Sequence, residues 1–166
     1  MKKLIVTAFL AVGTAVPAAA EGAMLDPSVV QSCHAMTRIG AAEILCLGQA
    51  ASMCQDASTA GTTTPGIAAC ITAETAVWDD ILNAEYGKTQ SYMTQLDATE
   101  PPVLGARPDA LRKAQRAWIA YRDAECGLTY LRWQGGSIRS IAAANCGLIM
   151  TARRAFELRD MRGDGG

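Results

Sequence analysis

Six cysteines, one histidine and a scatter of carboxylates are the residues of this 166-residue chain whose types could do chemistry. The cysteines are Cys33, Cys46, Cys54, Cys70, Cys126 and Cys146. Their count is even, no Cys-x-x-Cys pair occurs, and His34 is the lone imidazole. That pattern points to three disulfides rather than to a zinc centre, which needs four ligands drawn close together. Six cysteines allow 15 connectivities, and turn chemistry selects among them. The midpoint of Cys126 and Cys146 falls in Gly135-Gly136-Ser137. That of Cys54 and Cys70 falls in the Gly/Thr-rich stretch around Thr62, and that of Cys33 and Cys46 at Ile39-Gly40. Residues equidistant from the turn of a helical hairpin face each other. The expected pairs are therefore Cys33–Cys46, Cys54–Cys70 and Cys126–Cys146.

A catalytic constellation cannot be assembled. No serine sits in a nucleophile-elbow context, and there is no Gly-rich phosphate loop. Asp79 and Asp80 are adjacent on a helix and so point to different sides. The chain is expected to bind rather than catalyse, with no metal and no cofactor. Charged groups nevertheless fall on apolar faces. Glu74 lies in the stripe of a long helix, Arg122 and Glu125 beside Trp118 and Cys126, and Thr151 and Arg154 beside Ile149 and Phe156. A buried lone charge is costly, so such groups should pair. The expectation is a polar cluster joining three helices, with Arg122 or Arg154 meeting Glu74 or Glu125. A ligand pocket lined by these groups is the alternative. Trp78 and Trp118 are the expected core aromatics.

The elements that must position these residues are helical. Alanine is abundant, β-branched runs are few, and aromatics make up 5% of the chain. Asp26-Pro27 and Thr64-Pro65 each read as an N-cap with proline in the first turn. Helices are expected over residues 27–39, 41–55, 65–96, 108–134 and 138–161. Gly40, the polar stretch 56–64, the Pro101-Pro102 segment and Gly135-Gly136 separate them, and Ser137 is the expected cap of the last. The result is an all-α antiparallel bundle of four to five helices, stapled by disulfides. It forms one domain over residues 21–162, with an N-terminal helical hairpin at 26–56, a core at 65–162 and a flexible tail at 163–166.

Lys2 and Lys3, an apolar run from Leu4 to Val16 and Ala18-Ala19-Ala20 read as a signal peptide cleaved after residue 20. The run is too short to span a bilayer, and no later segment is long and apolar enough to do so. Export places the cysteines where disulfides persist. Residues 21–104 hold ten acidic and two basic side chains, and residues 105–166 eleven basic and six acidic. Either the halves fold together and cancel, or the molecule is polarised and its acidic side steers a cationic partner. A net charge of −1 excludes a nucleic-acid binder's basic surface.

The segment Ala114-Gln115-Arg116-Ala117-Trp118, continuing through Tyr121-Arg122-Asp123-Ala124-Glu125-Cys126, resembles the AQRAW…YRDAEC helix of the LprI-type lysozyme inhibitor family. Gly135-Gly136-Ser137, Cys146, Thr151 and Arg154 match the turn and final helix of that pattern. Glu74, Trp78, Leu82, Asn83 and Tyr86 match its first long helix. The resemblance covers about residues 70–158 and leaves 26–54 as an added unit. It implies an envelope protein that inhibits lysozyme or another cell-wall glycosidase, and it brings no catalytic residues. An inhibitor can block such an enzyme by offering a basic group or a hydroxyl to its two carboxylates. Gly135, Gly136, Ser137 and Arg139 form the candidate contact, unless this turn only joins two helices. The runner-up is a non-catalytic module for a peptidoglycan fragment or another envelope protein. A large pocket lined by Trp78, Trp118 or Trp133 would favour a small ligand, whereas a filled core leaves only the surface.

Overall fold

The computed structural model describes residues 25–163, so the expected signal peptide and residues 164–166 lie outside the described part. Five helices follow in order: α1 (Pro27–Met36), α2 (Gln49–Asp56), α3 (Thr64–Thr99), α4 (Arg107–Arg132) and α5 (Arg139–Asp160). Among the described residues there is no strand, and no helix is long and apolar enough to cross a membrane.

Local chemistry starts two of the helices. Asp26 accepts from the Ser28 amide at 2.9 Å, with Pro27 at the start of α1. Thr63, one residue earlier than expected, accepts from the Gly66 amide at 3.2 Å and caps α3. Gly66 must be glycine, because a Cβ there would stand 1.9 Å from the Ala60 carbonyl oxygen. Other helix ends are capped across space. Asp97 of α3 accepts the Arg107 amide at 2.9 Å and so caps α4. Ser137 does not cap α5, whose N-cap is Ile138 with no side-chain bond.

The expected second helix is shorter than its alanines suggest. Residues 41–44 are irregular, residues 45–48 form turns, and α2 begins at Gln49. Cys46 is held to Cys33, and Gly48 takes a left-handed conformation with φ of 84°. Helix propensity there is worth tenths of a kcal/mol per residue and yields to those constraints.

α3, α4 and α5 run up, down and up. α3 spans about 54 Å at 1.5 Å per residue. Its stripe of Cys70, Ile71, Glu74, Trp78, Leu82, Glu85 and Thr89 is buried. α5 brings Leu148, Ala152, Ala155, Phe156 and Leu158 against it. Ala152 and Ala155, both fully buried, let the two helices approach closely. Thr89 fixes the register by donating its hydroxyl to the Leu158 carbonyl at 2.6 Å. α1 adds Val30 and Cys33, and α2 adds Ala50, Ala51 and Cys54. α4 is the least embedded long helix, burying only Leu111 and Gln115.

Candidate functional site

The turn between α4 and α5 is built on a rigid base. Cys126 and Cys146 are joined with their Cα atoms 5.5 Å apart. Toward the tip, Arg139 donates Nε to the Tyr130 hydroxyl at 2.8 Å and Nη1 to the Gln134 carbonyl at 3.1 Å. Its guanidinium also lies over the Tyr130 ring. Arg139 is therefore engaged in closing the hairpin and is not the free cation expected of it. Gly135 and Ser137 are exposed, and Gly136 is half-buried. Beside them stand two large apolar side chains, Trp133 at 50% exposure and Ile138 at 47%. The glycine pair marked this turn in the sequence. Trp133, expected from the sequence only as a candidate pocket-lining residue, stands exposed beside the turn instead, because exposure follows from the neighbours, not from residue type.

All three disulfides have the expected connectivity: Cys33–Cys46, Cys54–Cys70 and Cys126–Cys146. The polar cluster does not form as expected. Glu74 meets neither Arg122 nor Arg154. It is 1% exposed and accepts from the backbone amides of Gly48 at 2.8 Å and Ala51 at 2.7 Å. It also accepts from Trp78 Nε1 at 3.2 Å. Gly48 is the N-cap of α2 and offers no side chain, so Glu74 supplies the missing cap from α3. The positive end of α2 favours the carboxyl group and makes an arginine partner unnecessary.

The arginines turn elsewhere. Arg122 reaches Asp79 at 3.6 Å and Asp123 at 2.9 Å, and it lies over Trp118. Arg154 donates to Gln115 at 3.0 Å and pairs with Glu157 at 2.9 Å. Glu125 has no ion pair among the described residues. Thr151 is buried, and its hydroxyl oxygen has no hydrogen-bond partner there. Trp78 sits fully buried against Phe156. Trp118 is only partly buried. It lines a shallow cleft of about 430 Å³ with Tyr121, Glu125, Ile149, Arg153 and Glu157. The core is filled where Trp78 lies, and the remaining clefts are open surface features.

Two clusters were missed in the sequence. Glu85, buried on α3, binds Arg162 and accepts from Lys88 at 2.8 Å. Burial pushes its carboxyl group up, but the bonds from Lys88 and Arg162 outweigh it and hold the group below the usual carboxylate range. Arg159 donates to the carbonyls of His34 at 3.1 Å, Thr37 at 2.8 Å and Arg38 at 3.0 Å, closing the open end of α1. Asp160 beside it accepts the Gly40 amide at 2.9 Å. His34 packs against both Trp78 and Phe156, with Nε2 buried and unpartnered among the described residues. Burial depresses its pKa below the ordinary imidazole value. Spacing alone marks Glu85 and Thr89 as continuing the Glu74-Trp78-Leu82 stripe, but it names no partner for them.

Comparison with known proteins bears on what this arrangement serves. A family model described as lysozyme inhibitor LprI matches residues 54–158. The Cys54–Cys70 and Cys126–Cys146 bonds fall inside that match, and Cys33–Cys46 falls outside it. An uncharacterized protein of Rhizobium meliloti (strain 1021) is 42% identical over 53 residues. That stretch is 32% of this chain and 38% of the relative, so the match spans well under half of the relative's length. No solved structure matches.

Proposed function

Because this chain belongs to the lysozyme inhibitor LprI family, we propose that it is an exported envelope protein that binds lysozyme-type glycosidases and occludes their cleft with the α4–α5 turn. The observation that carries this reading is the exposed Trp133–Ile138 pair on a turn closed by Arg139 and stapled at its base. A preorganised loop loses little entropy when it binds. An exposed tryptophan is the side chain that most often anchors an interface. Ser137, at the apex, offers a hydroxyl to the paired carboxylates that such enzymes use.

Long-range steering contributes little to this reading. Asp79, Asp97 and Glu100 of the acidic half pair with Arg122 and Arg107 of the basic half, and Glu85 pairs with Arg162. These pairs engage four of the ten acidic side chains of residues 21–104, which favours the reading that the halves offset each other and that binding depends only weakly on salt. Residues 54–158 form the inhibitor core, and residues 26–53 are a unit added onto it. Export through an N-terminal signal supplies the oxidising compartment that three disulfides need. Turbidimetric lysis of a peptidoglycan suspension by lysozyme tests the reading. Excess disulfide-bonded protein should slow clearing, and unchanged clearing rejects it.

A further inference from the structure

We propose that two copies of this chain pair antiparallel through the outer face of α4. The observation is a seam on the least embedded long helix. Ala114, Ala117, Tyr121, Ala124, Leu128 and Leu131 follow one another at alternating steps of three and four, the spacing of a helix–helix contact. All six are exposed. Tyr121, Leu128 and Leu131 are exposed to 59%, 53% and 59%. The packed side of α4 is a different row, which includes Leu111, Gln115, Trp118 and Arg122. The seam runs beside that row; Ala114 and Tyr121 border open clefts next to it, and Ala117, Ala124, Leu128 and Leu131 face away from it.

Side-chain size along the seam selects the occupant. The N-terminal positions are small, at Ala114 and Ala117. The C-terminal positions are large, at Leu128 and Leu131. A second copy running antiparallel sets Ala114 against Leu131, Ala117 against Leu128, and Tyr121 against Ala124. Every layer then joins a large side chain to a small one, which is how facing helices interdigitate. A parallel copy would set Leu128 on Leu128 and alanine on alanine. The self-complementary arrangement is the two-fold one that symmetric dimers use.

Charge agrees with this choice. Ala120 and Gly127 flank one side of the seam and Trp118 and Glu125 the other; the antiparallel copy sets Glu125 against Trp118, so no like charges meet across its centre. The seam spans about 26 Å along the helix. Burying all of its exposed area in both copies would remove at most roughly 1,200 Å², the lower edge of specific interfaces, so the association is weak. Trp133 and Ile138 take no part, and the pairing is independent of lysozyme binding.

Sedimentation equilibrium on the disulfide-bonded chain tests the proposal, over about 5 to 500 μM, the range a weak pair requires. The mass should rise from one chain to two. Ala117→Lys and Leu128→Glu should each raise the dissociation constant at least tenfold with circular dichroism unchanged. The double variant should regain most of the wild-type affinity. In the antiparallel pair the introduced ammonium faces the introduced carboxylate twice; in a parallel pair like charges meet. Ala124→Glu provides a further probe of the seam if Leu128→Glu alters the fold. A wild-type chain that stays monomeric, single variants that pair as the wild type does, or a double variant that fails to recover each overturn the proposal.

Discussion

Glu74 is buried without a cation among the described residues, and backbone amides fill that place. Removing its carboxyl group strands the donors of Gly48, Ala51 and Trp78. Glu74→Ala should cost about 3 kcal/mol, and Glu74→Gln about half of that, because one acceptor oxygen remains. Urea unfolding monitored by tryptophan fluorescence measures both, and an unchanged midpoint for Glu74→Ala contradicts the capping role. Acid should act through two other side chains. His34 resists protonation in the folded protein because burial disfavours the charged ring. The unfolded chain takes up a proton near its ordinary value of about 6.5. Stability therefore falls as pH drops through that value and levels off below the depressed folded pKa. Glu85 has a folded pKa below its unfolded one, so its contribution is present above the ordinary value and is lost as pH falls through the folded one. His34→Gln should abolish the step near neutrality in a melting-temperature profile and leave the acid step. A profile that keeps both steps would assign the first to another group.

At the scale of elements, α3 is the part that organises the rest. Glu74 near its start caps α2, and Asp97 near its end caps α4. Arg159 of α5 closes the carbonyl end of α1. These helices are held where they are by side chains far away in sequence, which marks the limit of a local reading. Asp26-Pro27, the loop between α2 and α3, the Pro101-Pro102 connection and Gly135-Gly136 were legible because their turn chemistry is local, whereas α1 ends at Met36, before the expected stop at Gly40. The cysteine pairs were legible because disulfides across a hairpin inherit that local geometry. The unwinding of 41–48 was not, since the residue that fixes the start of α2 lies 26 positions away from Gly48. The partners of Arg122 and Arg154 were not legible for the same reason. Both sit on the expected faces, but which carboxylate they meet depends on helix rotation. The 56–66 segment offers a test at this scale. Gly66→Ala should lower the melting temperature by several degrees, because the clash is with the backbone at Ala60 and cannot be relieved by a rotamer. A melting temperature equal to that of the wild type would show that the start of α3 can shift freely.

At the scale of the whole molecule, the family match covers residues 54–158, and the described residues before it form an N-terminal segment outside that match. That unit is bound by Cys33–Cys46 within itself, by Arg159 and Asp160 at one end and by Glu74 at the other. Breaking Cys33–Cys46 by a Cys33→Ala, Cys46→Ala pair should loosen residues 27–48 in hydrogen exchange. Slow exchange in α3 and α5 should persist, because their seam lies elsewhere. Loss of protection throughout would mean that the unit and the core fold as one. The charge asymmetry of the sequence is partly offset at this scale, since ion pairs join its two halves. The α4–α5 turn carries exposed Trp133 and Ile138 on a disulfide-stapled base, and on it the proposed lysozyme inhibition rests. The most direct measurement compares lysozyme inhibition by the wild type and by a Trp133→Ala, Ile138→Ala variant, both disulfide-bonded and with equal melting temperatures. Truncating both anchors should raise the inhibition constant at least tenfold, corresponding to about 1.4 kcal/mol of lost contact. Equal inhibition by the two proteins would contradict the claim that this turn fills the cleft.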